Sequence, residues 1–345
     1  MKFKNWEYWP SYLFYIPLLP YAFYLAIKAR SFAFFHATNP GLEESGNGLE
    51  SKFGTLSRIP IKYIPKSIFV QPEDSADSIF ESIKKAKINY PLIIKPDLGF
   101  RGLLVKKINS KEDLLSYLKK YNATNLIIQE FVNLKNECGI FYHRIPGESK
   151  GRITSITLKK YLSVIGNGRY TVKELILNNK RASIYYELLK PILKTELNQV
   201  LSNNEEKVLT VIGNHSKGTQ FINGNHLISN ELEIVFDKLN SEIKGWYFGR
   251  IDLKYNTFDE LLNSNNFKII ELNGIISEPT HIYDASSGSY FKALSEIKKH
   301  WKILYNIART NKKNNEGEYK GFDYLMNLYF RYNKYLKFIQ KLNAN

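Results

Sequence analysis

Sulfur is nearly absent from this chain. Cys138 is its one cysteine, and two methionines occur among 345 residues. That excludes an internal disulfide and any zinc site built from cysteines alone, and it fits a reducing, cytosol-facing compartment. Histidine is scarce as well, with six residues and no HExxH or comparable ligand spacing. His215 and His226 stand in Gly/Asn-rich stretches and read as loop residues. Acidic side chains are outnumbered, 33 against 49 basic ones, for a net charge of +16. Such a balance suits nucleic acid, an anionic membrane surface or a phosphate-bearing substrate. No helix-turn-helix, RRM or zinc module accompanies it, so nucleic acid is not an expected partner. There is also no G-x-x-x-x-G-K-[ST] phosphate loop and no internal repeat.

Hydrophobic residues make up 43% of the chain, enough for a globular body of two or three domains. One stretch stands apart. "PSYLFYIPLLPYAFYLAI", from Pro10 to Ile27, carries no charge and is followed by Lys28 and Arg30. It lies at the lower limit for a membrane span, and Pro17 and Pro20 interrupt a helix. Its tyrosines suit a segment with one side wet, so residues 1–36 read as an aromatic membrane-interface anchor. The alternative is a segment packed on the protein's own core or on a partner copy. The anchor places the protein in the cytoplasm, peripheral on the inner face of the cell membrane.

Residues 37–88 then form a short N-terminal substrate-side region, opened by the Gly-rich loop "ATNPGLEESGNGLESK". That loop reads equally as a surface linker or a substrate contact. Beyond it, "SADSIFESIKKAK" and "SKEDLLSYLKKY" have helical spacing, and Ser110 and Asp113 give the second a capped start. "YPLIIKPD", "GLLVKKI", "NLIIQEFV", "CGIFYHRI" and "GRITSITLKKYL" read as strands. Later come a helix in "ELEIVFDKLNSEI", strands in "GWYFGRIDLKY" and "FKIIELNG", and a long helix in "YFKALSEIKKHWKILYNIA". Strands and helices mixed without strict alternation point to an α+β fold. The boundaries read as 89–175 for a small subdomain, 176–311 for a large one, and 312–345 for a basic, aromatic C-terminal helix forming a separate appendage.

Candidate chemistry sits at three places. "IIKPDLGFRGLLV" ends a strand at Lys95 and then offers Gly99, Arg101 and Gly102, a cationic loop whose backbone can approach phosphate. "IIQEFV", with Gln129, Glu130, Phe131 and Val132, can offer backbone groups to an adenine edge, and Glu137 can accept from ribose hydroxyls. In "GRID" and "ELNG" the period of two puts Arg250 with Asp252, and Glu271 with Asn273. If those strands are neighbours, Asp252, Glu271 and Asn273 converge. Such a cluster costs several kcal/mol unless a cation neutralises it, which Mg²⁺ shared with substrate phosphates would do.

These motifs resemble the ATP-grasp carboxylate–amine ligases, the superfamily of D-alanine–D-alanine ligase, the RimK-type ligases and cyanophycin synthetase. The resemblance runs from about Tyr90 to Asp284 and includes "GNGRYTVKELI", similar to a segment of cyanophycin synthetase. It implies two α+β subdomains gripping ATP. Lys95 would bind the α/β-phosphates, Gly99–Gly102 would cover the β/γ-phosphates, Gln129–Val132 would hold adenine and Glu137 ribose. A second phosphate lysine is implied at Lys159 or Lys160, with Lys159 favoured. Asp252, Glu271 and Asn273 would hold two Mg²⁺ ions, for which Mn²⁺ can substitute, and Arg250 would face the transferred phosphoryl group. The implied reaction joins a small-molecule or lipid-linked carboxylate to an amine. Candidates for holding those substrates are His215, Lys217, Thr219, Ser277, Glu278 and His281. The sequence "GIISEPTHIYD" replaces the proline-glycine turn that follows "E-x-N" in D-alanine–D-alanine ligase, which points away from D-alanine. An ATP-binding module without turnover is the competing expectation, and the oligomeric state stays open, a homodimer included.

Overall fold

The computed structural model describes residues 5–99 and 102–344; Arg101 therefore lies outside the described residues. The chain forms two compact units, Met1–Thr157 with Asn223–Asn345, and Leu158–Ile222.

The first unit begins with two short helices, α1 (Ser11–Tyr15) and α2 (Leu19–Ala29), and the single-turn-scale α3 (Lys52–Leu56). Strand β1 (Ser67–Val70), helix α4 (Ala76–Lys85), strands β2 (Leu92–Pro96) and β3 (Lys106–Ile108), helix α5 (Lys111–Lys120) and strand β4 (Leu126–Glu130) follow. The strands form an antiparallel sheet in the order β1-β4-β2-β3. Ser75 and Ser110 cap the two longer helices by accepting from Ser78 N and Asp113 N at 3.2 Å. Ile79, Ile83, Leu114 and Tyr117 then recur at helical spacing and bury against Leu92, Ile94 and Ile128. The strand expected over "GLLVKKI" is shorter than predicted. Residues Gly102–Leu104 turn instead, with both Gly102 and Leu104 at positive φ, and pairing starts at Lys106.

A second sheet has the order β11-β10-β5-β6-β9, formed by β5 (Asn136–His143), β6 (Arg152–Lys160), β9 (Gln220–Asn223), β10 (Phe248–Tyr255) and β11 (Phe267–Leu272). Strands β6 and β9 are where the chain leaves the first unit and returns. Helix α8 (Asn230–Glu242), the short α9 (Phe258–Leu262) and the long helix α10 (Tyr290–Lys313) complete this part. Ala293, Ile297, His300, Leu304, Ile307 and Asn311 make a buried stripe along α10. The second unit holds β7 (Ser163–Ile165), α6 (Val172–Asn178), α7 (Tyr186–Ile192) and β8 (Glu206–Val208) around Leu162, Val172, Ile176, Leu189 and Leu201. These mixed elements and antiparallel sheets bear out the α+β expectation.

Helices α1 and α2 and the last helix pack against other parts of the first unit. Phe14 and Leu18 bury against Ile282, Ala293 and Ile297; Leu25 and Ala29 bury against Leu304 and Ala308. The opposite side of the same segment is open, with Tyr12, Ile16, Phe23 and Ile27 exposed. Ser11–Ala29 is long and apolar enough to cross a membrane by length and composition. Helix α11 (Phe322–Ala344) does not stand off as an appendage. Its Tyr324 and Arg331 bind Glu44, and Tyr335 Oη donates to Leu98 O at 2.6 Å.

Candidate nucleotide and metal site

Two antiparallel strands build the floor of the site. In the β10–β11 register Asp252 lies opposite Glu271, and in the β10–β5 register it lies opposite Gly139. Alternation along β10 puts Arg250, Asp252 and Lys254 on one face. Asp252 is buried, and Arg250 grips it with two bonds, Nε to Oδ1 at 3.0 Å and Nη2 to Oδ2 at 2.9 Å. Burial disfavours the charged guanidinium, but Asp252 beside it outweighs that and pushes its pKa up. Asn273 lies just past the end of β11. Its backbone N–H still donates to Arg250 O at 2.9 Å, and its Nδ2 reaches Asp252 Oδ2 at 3.3 Å.

The floor needs Gly139. A Cβ there would stand 2.8 Å from Asp252 Oδ1 and 2.9 Å from Arg250 Cδ. The absence of a side chain is what lets the ion pair lie against β5.

Lys95 connects this floor to the other sheet. Its Nζ donates to Gln129 Oε1 at 3.2 Å and to Ile270 O at 3.3 Å, one residue before Glu271. Burial pulls its pKa down to about 8, against the upward pull of Glu271. The lysine and the carboxylates, remote in sequence, are therefore brought together.

Sequence reasoning missed Lys52. Its Nζ is paired with Glu271, and its Cε would be 3.2 Å from a Cβ on Gly99. Burial raises the pKa of Glu271, but Lys52 chiefly, with Lys95, brings it below the usual range. Lys52 is held from both sides. Its N–H donates to Asp97 O at 3.3 Å, while Ser51 Oγ and Phe53 N donate to Asp97 Oδ1 at 3.0 and 2.8 Å. Upstream, Ile275 N and Ile276 N donate to Ser45 O and Gly46 O. Gly46, at φ +75°, approaches Gly274 so closely that a Cβ would lie 2.5 Å from its Cα. The Gly-rich loop is thus stitched into the site rather than being a linker. No motif spacing marked Lys52, because its partner is 219 residues away.

At the other end of the floor, Lys254 was also missed, although it shares the period-two face of Arg250 and Asp252. It lies opposite Glu137 in the β10–β5 register, donates to Val132 O at 3.1 Å, and stands 5.5 Å over the Phe131 ring. Lys107 covers the same ring at 4.4 Å. Glu137 is buried, and Glu130, at the end of β4, accepts from Lys66 N.

The remaining candidates are divided between the two units. Lys159, half-buried, and Lys160, exposed, belong to the second unit, as do His215 and Lys217. There Tyr185 Oη donates to His215 O, and buried Thr219 donates to Ile212 O. Ser277 Oγ donates to Gly274 O. Glu278 accepts from Tyr15 and, at 2.8 Å, from Tyr283, while its backbone carbonyl accepts from Arg250 Nη1 at 3.2 Å. His281 is buried against Ser155 Oγ at 2.7 Å, and burial lowers its pKa to about 4. It is a neutral packing residue.

The donor set fits a hard divalent cation. Two carboxylates face each other across a strand pair with the Asn273 amide beside them, and the protein's own cations compensate them. Among the described residues no three His, Cys, Asp or Glu side chains form a self-sufficient metal site. A cation here would complete its shell with phosphate oxygens or water, as Mg²⁺ does.

No protein-family model and no curated protein matches the chain. Among solved structures it is similar to D-alanine–D-alanine ligase from Bacillus anthracis, at 14% identity over 77% of this chain and 69% of that one, with a TM-score of 0.42. It is similar to a bifunctional glutathione synthetase from Pasteurella multocida at 15% identity, 72% and 35% coverage and a TM-score of 0.37. For VanG D-Ala:D-Ser ligase from Enterococcus faecalis the values are 14%, 77%, 63% and 0.42. The chain thus spans about a third of the synthetase and less than two thirds of VanG.

Proposed function

We propose that this chain is an ATP-dependent carboxylate–amine ligase of the ATP-grasp kind. One observation carries the reading: Lys95, at the mouth of a glycine loop, reaches the strand whose next residue is Glu271, which faces Asp252 in register. In this reading that contact brings the phosphate-binding lysine to the metal-binding carboxylates.

In this reading Lys95 and the Gly99–Gly102 loop hold the phosphates, Gln129–Val132 the adenine and Glu137 the ribose, with Lys159 as the second phosphate lysine. Asp252, Glu271 and Asn273 would hold Mg²⁺, which when bound would supply charge screening for phosphate oxygens. A carboxylate oxygen attacks the γ-phosphorus, and the bond to ADP breaks. An amine nitrogen then attacks the acyl phosphate carbon, the C–O bond breaks, and the nitrogen's proton leaves with the released phosphate. Arg250 would stabilise the phosphoryl oxygens. Incubation with Mg·ATP and fractionated aqueous or lipid extract should yield ADP and a product heavier by one condensation; nucleotide bound without turnover would favour the second reading. That reading, a silent nucleotide-binding module, draws on the full compensation of Asp252 and Glu271 by Arg250 and Lys52.

We also place the enzyme peripherally at the cytoplasmic membrane face, acting on a lipid-linked substrate. Phe23, Phe32 and Phe322 meet edge to face at 6.3 and 6.1 Å, joining the exposed sides of α2 and α11 into one aromatic surface, and exposed Lys28 and Arg30 stand at the C-terminal end of α2. Rings flanked by cations suit an anionic interface. Serine substitutions at Phe23, Phe32 and Phe322 should move the protein to the soluble fraction; unchanged partition refutes the surface.

A further inference from the structure

Beside Glu278 lies an open cavity of about 300 Å³, lined by Tyr15, Phe248, Ile297, Trp301 and Leu304. Its volume is about twice the ~150 Å³ that accepts a benzene ring in an apolar pocket. Tyr15 and Trp301 stack with centroids 6.0 Å apart and planes 9° from parallel. The walls are mostly apolar, yet a half-buried carboxylate lines them. Two phenols, Tyr15 and Tyr283, fix the Glu278 carboxylate. Phenolic donors orient a carboxylate without cancelling its charge. Among the described residues no cation lies within ion-pair distance of it, although the chain as a whole is +16. Arg250 feels the Glu278 charge from beyond ion-pair distance, but it spends two of its hydrogen bonds on Asp252 and bonds Glu278 at the backbone carbonyl.

A fixed carboxylate at the wall of an aromatic cavity suits a cation with an apolar body. It repels an acid, and it gives water little on the remaining walls. We propose that this cavity seats an amine: a primary ammonium at Glu278, with a compact aromatic or branched aliphatic body against Trp301. As the seat of the attacking amine it rests on the ligase reading. The carbonyl bond from Arg250 then ties the amine's position to the phosphoryl end of the site. An ammonium over the Tyr15–Trp301 pair gains attraction from the rings as well.

The test uses the full chain and three probes sharing a phenethyl body at pH 7.5: phenethylamine, 2-phenylethanol and 3-phenylpropionate, titrated by calorimetry. The amine should bind at least tenfold more tightly than the alcohol, and the acid should not bind. Glu278→Gln should reduce the amine to the alcohol's affinity. An acid that binds as well as the amine, or an amine no tighter than the alcohol, overturns the proposal with the unsubstituted protein alone. Mg·ATP is titrated separately. Nucleotide binding without amine preference sinks the amine seat and leaves the ligase reading standing. Amine preference without nucleotide binding upholds the seat and sinks the ligase reading.

Discussion

Gly139→Ala is a small change that reaches the centre of the site without replacing a charged group. The new methyl would stand 2.8 Å from Asp252 Oδ1 and 2.9 Å from Arg250 Cδ, against 3.4 Å for ordinary contact. The ion pair must therefore move by about half an ångström, or β5 must part from β10. Neither is easy, because Asp252 is opposite Gly139 in register and Arg250 holds it bidentately. Overpacking of this kind costs about 1–3 kcal/mol, which lowers the melting temperature by several degrees. The affinity for Mg·ATP should fall about tenfold or more, since displaced carboxylates no longer share a cation with phosphate. Gly288→Ala is the control, because its methyl would meet only Asp284 O at 3.4 Å. Thermal unfolding and a fluorescent-nucleotide titration read both effects. If Gly139→Ala matches Gly288→Ala in both, the Arg250–Asp252 pair is not pressed against β5 as described.

Further outcomes follow from the charged groups. Lys95 has a pKa of about 8, and phosphate favours its ammonium form, so nucleotide affinity should fall as pH rises through 8. Binding at pH 8.5 should take up protons, seen as heats that vary with the buffer's ionisation enthalpy. Lys52→Met leaves Glu271 without its main counter-ion; millimolar Mg²⁺ should then raise the melting temperature more than it does in the unsubstituted protein. His143, His281 and His300 are held near pKa 4, chiefly by burial. Unfolded histidines bind protons below about pH 6.5 while these do not, so stability is full above 6.5 and is lost toward pH 4. At pH 5 the loss is about 2 kcal/mol per histidine, measurable by denaturant titration; a flat profile from pH 7 to 5 refutes it.

Most elements were legible because local signals and burial agreed. Ser75 and Ser110 cap helices whose apolar spacing already marked them, and the strands ending at Pro96, Glu130 and Leu272 are apolar runs with polar tips. The facing of Asp252 and Glu271 was readable from period two, given that their strands are neighbours. What escaped was long-range. Lys52 lies in a loop that looks like any polar linker, and only Asp97 and the Gly46–Gly274 approach fix it in the site. Lys254 lay within reach, two residues past Asp252, but it reads as an ordinary strand lysine until Val132 and Phe131 are placed beside it. His281 carried a misleading signal, since a histidine after "ELNG" reads as a substrate ligand and is instead buried on Ser155.

The most direct measurement of the central claim is the metal dependence of ATP binding in the unsubstituted protein and in Asp252→Asn and Glu271→Gln. Titration of Mn²⁺ by electron paramagnetic resonance, with and without ATP, reads metal and nucleotide together. The expected result is ATP-dependent Mn²⁺ binding that both substitutions weaken at least tenfold. ATP binding indifferent to metal, or Mn²⁺ binding unchanged by either substitution, would contradict it.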